Sequence, residues 1–336
     1  MEVTKMFESW IEFYSKCSDA LLEGVVQPLL FALHLGGWVE DAYAVCDGLV
    51  LGIVQLLIMV ALFTPMERFW PVEKEQDSAQ IFVDVIYTLI HRLGLFRLMF
   101  FLIFNWPVDY LWGHLRVLGV PTLQLDDWVP GANEHPVLGF LFYLVVFDFV
   151  GYWLHRAQHQ WNWWWSLHAV HHSQQSMTYW SDSRNHLLDD AIMGLLGVIL
   201  AQCFGMPPSQ FVILIAMTQI SQSFQHANVR LSLGPWLERL WVSPRFHRYH
   251  HSIGGGHEFE NGVLGGHNFG VLLPWWDICF GTANFEDRFD PTGIRDQVES
   301  NVQYGRGFWS QQALGLKRLG MALCKVSSPK EKPQGL

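Results

Sequence analysis

Residues 148–172 read DFVGYWLHRAQHQWNWWWSLHAVHH, and residues 245–251 read RFHRYHH. Each residue of an α-helix turns by about 100°, so spacings of three and four place side chains on one helical face. The first stretch contains an HxxxH pair followed by an HxxHH motif, and the second repeats HxxHH. We therefore expect each segment to be helical and to direct its imidazoles at one point. The eight histidines are His155, His159, His168, His171, His172, His247, His250 and His251.

Eight histidines in this arrangement predict a metal centre. A single histidine is usually an ordinary core or surface residue, but imidazoles packed together without a metal would leave ring nitrogens unpaired. Structural zinc sites need four ligands and catalytic zinc needs three, so eight imidazoles favour two metal ions. Imidazole ligands suit Zn, Cu, Fe or Ni, and the spacing alone does not choose among these metals.

The composition indicates a membrane protein. Half of the residues are hydrophobic, only 15% are charged, and the chain contains 17 Trp and 24 Phe. The net charge of −10 argues against a nucleic-acid partner. The five cysteines are scattered without CxxC pairs, which indicates neither a zinc ribbon nor a disulfide framework. The first 24 residues have no basic region leading into an apolar core, so we expect no cleaved signal peptide.

The apolar segments predict an all-α membrane protein, a bundle of about four to six transmembrane or re-entrant helices capped by a cytosolic helical His-rich metal-binding region. The predicted spans are residues 48–64, 81–106 and 137–154, with a membrane hairpin at 191–224 and a loop at 107–136. The expected organisation is an interfacial region at 1–47, transmembrane helices at 48–154, the His-motif region at 155–309 and a C-terminal tail at 310–336, whose last residues, KVSSPKEKPQGL, are expected to form a frayed polar end.

Charged residues give two further expectations. His91, Arg92 and Arg97 are unusual inside an apolar run, so they either face a protein interior or mark the edge of the span. Of the 21 Lys and Arg residues, 14 lie at or after Arg156. Basic residues collect on the cytoplasmic side, so we expect a multi-pass protein with its histidines facing the cytoplasm, in a bacterial inner membrane or the endoplasmic reticulum.

The sequences HRAQH, HAVHH and HRYHH, in this order and with a membrane hairpin before the third, resemble the fatty acid hydroxylase or sterol desaturase superfamily of integral membrane di-iron oxygenases. The resemblance runs from about residue 148 to residue 285. It implies two iron ions that activate O2 to hydroxylate or desaturate a lipid held in the bilayer. It also implies that His226 is a metal ligand; some relatives have another histidine where this chain has Gln222.

Such an oxygenase needs electrons from outside. The sequence contains no GxGxxG motif, no flavin signature, no cysteine cluster and no fused haem domain. A separate reductase or small electron carrier is therefore implied as a partner. The basic residues next to the motifs are candidates for receiving an acidic donor or for meeting lipid phosphates, namely Arg156, Arg239, Arg245 and Arg248.

Several polar residues are candidates for supporting the ligands. Asp148 lies two helical turns before His155, where a carboxylate could hold the free N–H of a ligand. Asp182, Asp189 and His186 follow the first HxxHH, either as supports of the ligands or as a solvated helix cap. Asn228, near His226, is either a supporting group or a loop cap. The remaining histidines are interpreted as loop residues near the site (His257 and His267) or as non-ligands (His34, His91, His114 and His135).

The tryptophans next to the first HxxHH motif have two possible roles. The tryptophans at 161 and 163–165 are typical of an interfacial aromatic belt, and we prefer this interpretation to a substrate-stacking role.

The function that competes with the oxygenase is a membrane metal carrier or sensor that binds zinc or copper. A carrier needs ionisable groups in the middle of several spans, whereas here the histidines gather at one face. The pattern therefore favours the enzyme.

Overall fold

The computed structural model describes residues 2–123, 134–257 and 264–327, and the regular structure of these residues is helical. The all-α class predicted from the sequence is confirmed for them. In chain order the helices are α1 (Glu2–Leu21), α2 (Gln27–Ala32), α3 (Val39–Phe69), α4 (Ser78–Arg92), α5 (Leu95–Val117), α6 (Pro136–Gln160), α7 (Asn162–His172), α8 (Leu187–Cys203), α9 (Pro208–His226), α10 (Gly234–Leu237), α11 (Pro244–His250), α12 (Trp275–Phe280), α13 (Arg295–Glu299) and α14 (Phe308–Ser327).

Two helices of the described part are long and apolar enough to cross a membrane, Gly36–Phe69 and Pro136–Gln160. A third span exists if α4 and α5, which meet at an angle of 50°, count as one. This is fewer than the four to six transmembrane or re-entrant helices expected. The predicted hairpin does form as two helices, α8 and α9, but α8 has only 17 residues, which is short for a hydrocarbon core about 30 Å thick.

The predicted single span at 81–106 is interrupted. Gly94 adopts a left-handed conformation with φ 80°, which ends α4 and turns the chain into α5. A residue with a Cβ is disfavoured in this conformation, so glycine permits the bend. Helix α5 then continues through Pro107 to Val117. The first part of the predicted loop at 107–136 is therefore helical, and residues 124–133 lie outside the described residues.

The charged residues of α4 face the interior. The Arg92 guanidinium is buried and donates to the Asp182 carboxylate at 2.8 Å and to the Ser223 hydroxyl at 3.0 Å. His91 Nε2 lies 3.0 Å from Asp190 Oδ2. Buried charges need such partners because their desolvation is expensive. The structure supports the interior alternative for His91 and Arg92, whereas Arg97 of α5 is exposed. The contacts of His91 and Arg92 tie α4 to α8 and α9.

Two apolar clusters and a C-terminal helix complete the bundle. One cluster joins α6 and α9 to the segment before α12, and the other joins α3 to the loop after α7 and the end of α9. Residues 310–327 of the predicted C-terminal tail belong to α14, whose Gln312 side chain donates to the Tyr87 hydroxyl at 2.9 Å. Residues 328–336 of that tail lie outside the described residues.

Candidate metal centre

The predicted ligands come together in two groups of four. Within each group the four imidazoles offer one nitrogen each, and these nitrogens all lie within 4.8 Å of one another. Cluster A consists of His155, His159, His172 and His250, and cluster B of His171, His226, His247 and His251. Two groups of this size match the two metal ions that the histidine count favoured.

Four helices supply these side chains. Helix α6 carries the HxxxH pair, α7 the first HxxHH, the last turn of α9 carries His226, and α11 with the residue after it carries the second HxxHH. Each HxxHH is divided between the clusters: His172 and His250 belong to cluster A, and His171, His247 and His251 to cluster B. The expectation that each segment directs its imidazoles at one point is therefore wrong. Adjacent residues of a helix point about 100° apart.

The clusters are in contact. The rings of His172 and His251 are stacked, with 4.2 Å between their centroids. His168, the ninth predicted ligand, lies between the clusters, 5.0 Å from His172 and 5.4 Å from His171 by ring centroids. Its Nε2 atom is buried and has no hydrogen-bond partner in the part of the chain that the structure describes. All nine predicted histidines thus surround one polar interior.

Hydrogen bonds fix the tautomers of several of these rings. His155 Nδ1 lies 2.9 Å from the carbonyl oxygen of Phe269, and His250 Nδ1 lies 2.8 Å from that of His267. A carbonyl oxygen only accepts, so Nδ1 carries the proton and Nε2 presents a lone pair. His226 Nδ1 is held in the same way by the carbonyl of Gln222 at 2.8 Å.

The donor set fits metal ions. Five cluster histidines, together with His168, have at least one buried ring nitrogen without a hydrogen-bond partner among the described residues; the five are His159, His172, His247, His250 and His251. Burial lowers the pKa of His171, His172, His247, His250 and His251 well below the usual range of histidine, so these rings are neutral. Neutral buried imidazoles with free lone pairs are the form in which histidine binds metals.

Asp189 supports His168. Its Oδ2 atom lies 3.0 Å from His168 Nδ1, and its Oδ1 atom accepts from Trp164 Nε1 at 2.6 Å and from Gln158 Nε2 at 2.8 Å. The carboxylate is 2% exposed. It therefore keeps the proton of His168 on Nδ1 and directs Nε2 toward the clusters, as a carboxylate behind a ligating histidine does.

Replacing Asp189 by asparagine is expected to weaken metal binding by about 10- to 100-fold. The Asn amide can still accept from Trp164 and Gln158, but its NH2 group would face His168 and reverse the tautomer of that ring. Metal affinity is measured by competition with a chelator. Asp190→Asn is the matched control, since Asp190 contacts His91 instead of a motif histidine; an equal loss in both variants would contradict the role of Asp189.

The expectation for Asp148 is corrected by the structure. Its carboxylate accepts from the backbone N–H of Leu272 at 2.7 Å, from that of Leu273 at 3.2 Å and from Trp276 Nε1 at 2.9 Å. It anchors the segment before α12 to α6 and does not hold a ligand's N–H. That segment follows Phe269, whose carbonyl bonds His155, so Asp148 acts on the centre only through the backbone.

Three other candidates also bind groups outside the clusters. Asp182 is the partner of Arg92 and Ser223. His186 Nδ1 accepts from the backbone N–H of Leu188 at 3.1 Å, which makes it the N-cap of α8. The Asn228 side chain bonds the backbone N–H and carbonyl of Glu73. His186 is therefore a helix cap, but a buried one and not the solvated cap expected, and Asn228 caps the loop at Glu73.

Two of the proposed docking arginines are not at the surface. Arg245 is 5% exposed and pairs with Glu238, and Arg248 is 2% exposed and pairs with Glu73. They stabilise the surroundings of α11 and offer no charge to an electron donor. The interpretation of the tryptophans as an aromatic belt is also incomplete. Trp164 is buried and donates to Asp189, and the ring centroid of Trp165 lies 5.1 Å from that of His159.

Sequence reasoning treated His257 as a loop residue near the site, and the structure buries it against cluster A, with its ring centroid 4.8 Å from that of His172. The only sequence signal was its place in a glycine-rich loop just after the second HxxHH. His267 is half-buried, and its Nδ1 atom bonds the carbonyl of Gly255 at 3.0 Å. His34, His114 and His135 are exposed.

An apolar cavity of about 300 Å³ lies between α6, α8 and α9. Its walls are mostly aliphatic and include Leu154, Leu196, Gly197 and Leu214. A second, more polar cavity of about 220 Å³ shares four lining residues with it, namely Gly151, Met193, Gln222 and Val271. The second cavity is also lined by His155, His168, His171, His226 and His247. The apolar cavity is therefore next to a cavity lined by histidines of both clusters.

Comparisons with known proteins agree with this site. The family model described as fatty acid hydroxylase matches residues 140–282. Ornithine lipid hydroxylase OlsE of Rhizobium tropici is 29% identical over 290 residues, 83% of this chain and 79% of that protein. Alkylglycerol monooxygenase of Homo sapiens is 28% identical over 191 residues, 57% of this chain and 38% of that protein. Methylsterol monooxygenase 1-3 of Arabidopsis thaliana is 25% identical over 182 residues, 51% of this chain and 57% of that protein.

No solved structure matches the chain. The matched segment contains all nine predicted ligands, and the resemblance to the fatty acid hydroxylase superfamily is confirmed. The relatives of this chain are named as hydroxylases and monooxygenases, which are oxidoreductases. The apolar spans, the histidine clusters and these relatives together define the class of this protein as a membrane oxidoreductase.

Proposed function

We propose that this protein is a di-iron lipid hydroxylase. One oxygen atom of O2 would enter a C–H bond of a membrane lipid, and the other would leave as water after the uptake of two electrons and two protons. The electrons come from a separate reductase or small electron carrier. The site faces the cytoplasm in this proposal, in agreement with the excess of basic residues in the second half of the chain.

The observation that carries the proposal is the position of the two cavities next to each other. Aliphatic side chains line the cavity between α6, α8 and α9, and histidines of both clusters line the second cavity, which shares four lining residues with the first. We take the apolar cavity as the passage for the substrate. A lipid chain in the passage would place one of its carbons beside the clusters. A metal carrier has no use for such a passage, since it needs polar groups along its path.

The residues of the chain have distinct tasks in this proposal. The two clusters would each hold one iron ion, and iron held by neutral imidazoles supplies the oxidising chemistry that an unactivated C–H bond requires. Asp189 and the carbonyls of Phe269 and His267 orient the rings of His168, His155 and His250. The walls of the apolar cavity exclude water and position the substrate, which sets the carbon that reacts.

The substrate we propose is a polar membrane lipid with a long apolar chain. The apolar cavity fits the chain, and the second cavity provides a polar end lined by Asn185, Asp189 and Asp190. A relative that matches most of the length of this chain is named for ornithine lipid. The monooxygenases named for alkylglycerol and methylsterol match about half of this chain. Hydroxylation is favoured over desaturation because these relatives are named hydroxylases and monooxygenases.

Lipid mass spectrometry tests this proposal. Lipids are extracted from cells that express the wild-type chain and from cells that express a variant with His247 replaced by alanine. We expect a polar lipid that gains one oxygen atom only with the wild type. A lipid that loses two hydrogen atoms instead would indicate a desaturase. No lipid change, together with zinc or copper that passes readily to an acceptor, would contradict the proposal and favour a metal carrier.

A further inference from the structure

A glycine-rich loop after the second HxxHH delivers His257 to the metal centre. A Cβ on Gly256 would lie 2.0 Å from the carbonyl oxygen of His250, and one on Gly266 would lie 2.0 Å from that of Gly256. Gly266 also has φ 112°, which residues with a Cβ rarely adopt. Glycines at these two positions therefore allow the backbone to pass close enough to α11 for the next side chain to reach cluster A.

The backbone of His257 is held on both sides. Its N–H donates to the carbonyl of Gly254 at 3.1 Å, and its carbonyl accepts from the N–H of Gly265 at 2.8 Å. The side chain is 1% exposed. These bonds fix the backbone at His257, and the ring is buried in the interior.

The ring of His257 lies against cluster A, next to the imidazole of His172. Its centroid is 4.8 Å from that of His172 and 6.3 Å from that of His159. Within cluster A, the ring of His172 lies 4.6 Å from that of His159 and 4.7 Å from that of His250. His257 therefore stands as close to His172 as the members of the cluster stand to one another.

Neither ring nitrogen of His257 has a hydrogen-bond partner among the described residues. Burial, with a smaller contribution from His168, lowers the pKa of His257 to about 3, so the ring is neutral. A neutral buried imidazole carries one N–H and one lone pair, and leaving both unmatched is costly. By contrast, the buried His186 bonds the carbonyl of Gln312 at 3.0 Å through Nε2 and the N–H of Leu188 through Nδ1.

We infer that His257 is a further metal ligand, which binds the ion of cluster A through a ring nitrogen on the side of His159 and His172. This inference rests on the proposed function only in requiring a metal at cluster A. It gives the ion of cluster A five imidazoles, one more than a closed tetrahedral zinc site uses. The additional ligand lies at cluster A, whereas Gln222, where some relatives have a histidine, lies one turn before His226 of cluster B.

The test uses the full chain, purified in detergent and loaded with ferrous iron without oxygen. The iron per chain and the rate of iron transfer to a coloured chelator are measured for the wild type, His257→Ala and His186→Ala. We expect His257→Ala to release one of its two irons about ten times faster or more, by analogy with the loss of groups that support metal ligands. Added imidazole, which fills the space left by the ring, is expected to restore retention.

His186→Ala is the matched control, because it removes a buried imidazole that belongs to neither cluster. It is expected to lower the melting temperature without changing iron release. His257→Gln has the same expected result as His257→Ala and keeps a polar side chain if the alanine variant folds poorly. Wild-type retention of both irons by a folded His257 variant would overturn the inference and leave the proposed function intact. A wild-type chain that binds no iron would overturn both.

Discussion

Replacing His250 by alanine is expected to abolish lipid oxidation and to reduce the iron content from two ions per chain to one or fewer. His250 contributes to cluster A, where the carbonyl of His267 holds its Nδ1 proton. Its Nε2 atom is buried and has no hydrogen-bond partner among the residues that the structure describes. Loss of a group that only supports a ligand weakens metal binding by about 10- to 100-fold, so the loss of a ligand exceeds this. Iron is measured on purified protein, and activity by conversion of the lipid.

The same result is expected for His247→Ala in cluster B, because the proposed chemistry needs both ions. His114→Ala is the control: His114 is exposed on α5 and outside both clusters, so its loss should change neither quantity. The clusters would not be the reaction centre if the His250 variant, purified and folded, kept wild-type turnover.

Replacing Gly197 by phenylalanine is expected to reduce lipid oxidation by about 100-fold while the iron content stays at the wild-type level. Gly197 lines the apolar cavity, and a Cβ built on it meets no atom within 4 Å. A phenyl ring would therefore occupy the passage instead of displacing its walls. Displacement of a substrate by about 1 Å can cost a factor of this size.

Gly197→Ala is expected to have a mild effect, because one methyl group leaves most of the cavity open. Gly113→Phe is the matched control, since Gly113 is also a helical glycine with open space around it and does not line the cavity. Lipid conversion and iron content are measured for all three variants. If Gly197→Phe oxidised the lipid as fast as Gly113→Phe, the lipid chain would not use this passage.

The chemistry of the site was predictable because it depends on local spacing. Ligands three and four residues apart are a property of single helices, and the nine predicted histidines do surround one interior. The apolar spans containing residues 48–64 and 137–154 were recognisable for the same reason, since hydrophobicity over about 20 residues is read from the chain directly.

The supporting contacts were less predictable, because each joins residues far apart in the sequence. Asp148 lies two turns before His155 on the same face of the helix. Its carboxylate nevertheless accepts from N–H groups some 124 residues later in the chain. Arg245 and Arg248 look like surface charges next to a motif, but partners from other segments bury them. Only packing between elements determines which of several polar groups a carboxylate or a guanidinium meets.

The sequence alone determined that this is a membrane protein with three histidine motifs able to hold two metal ions, since composition and helical spacing are local properties. The tertiary structure decided how the imidazoles are shared. His171 and His172 are neighbours in one motif but belong to different clusters, because their side chains leave the helix about 100° apart and meet different partners. It also decided that His257 lies against His172, because this depends on how closely one loop passes α11.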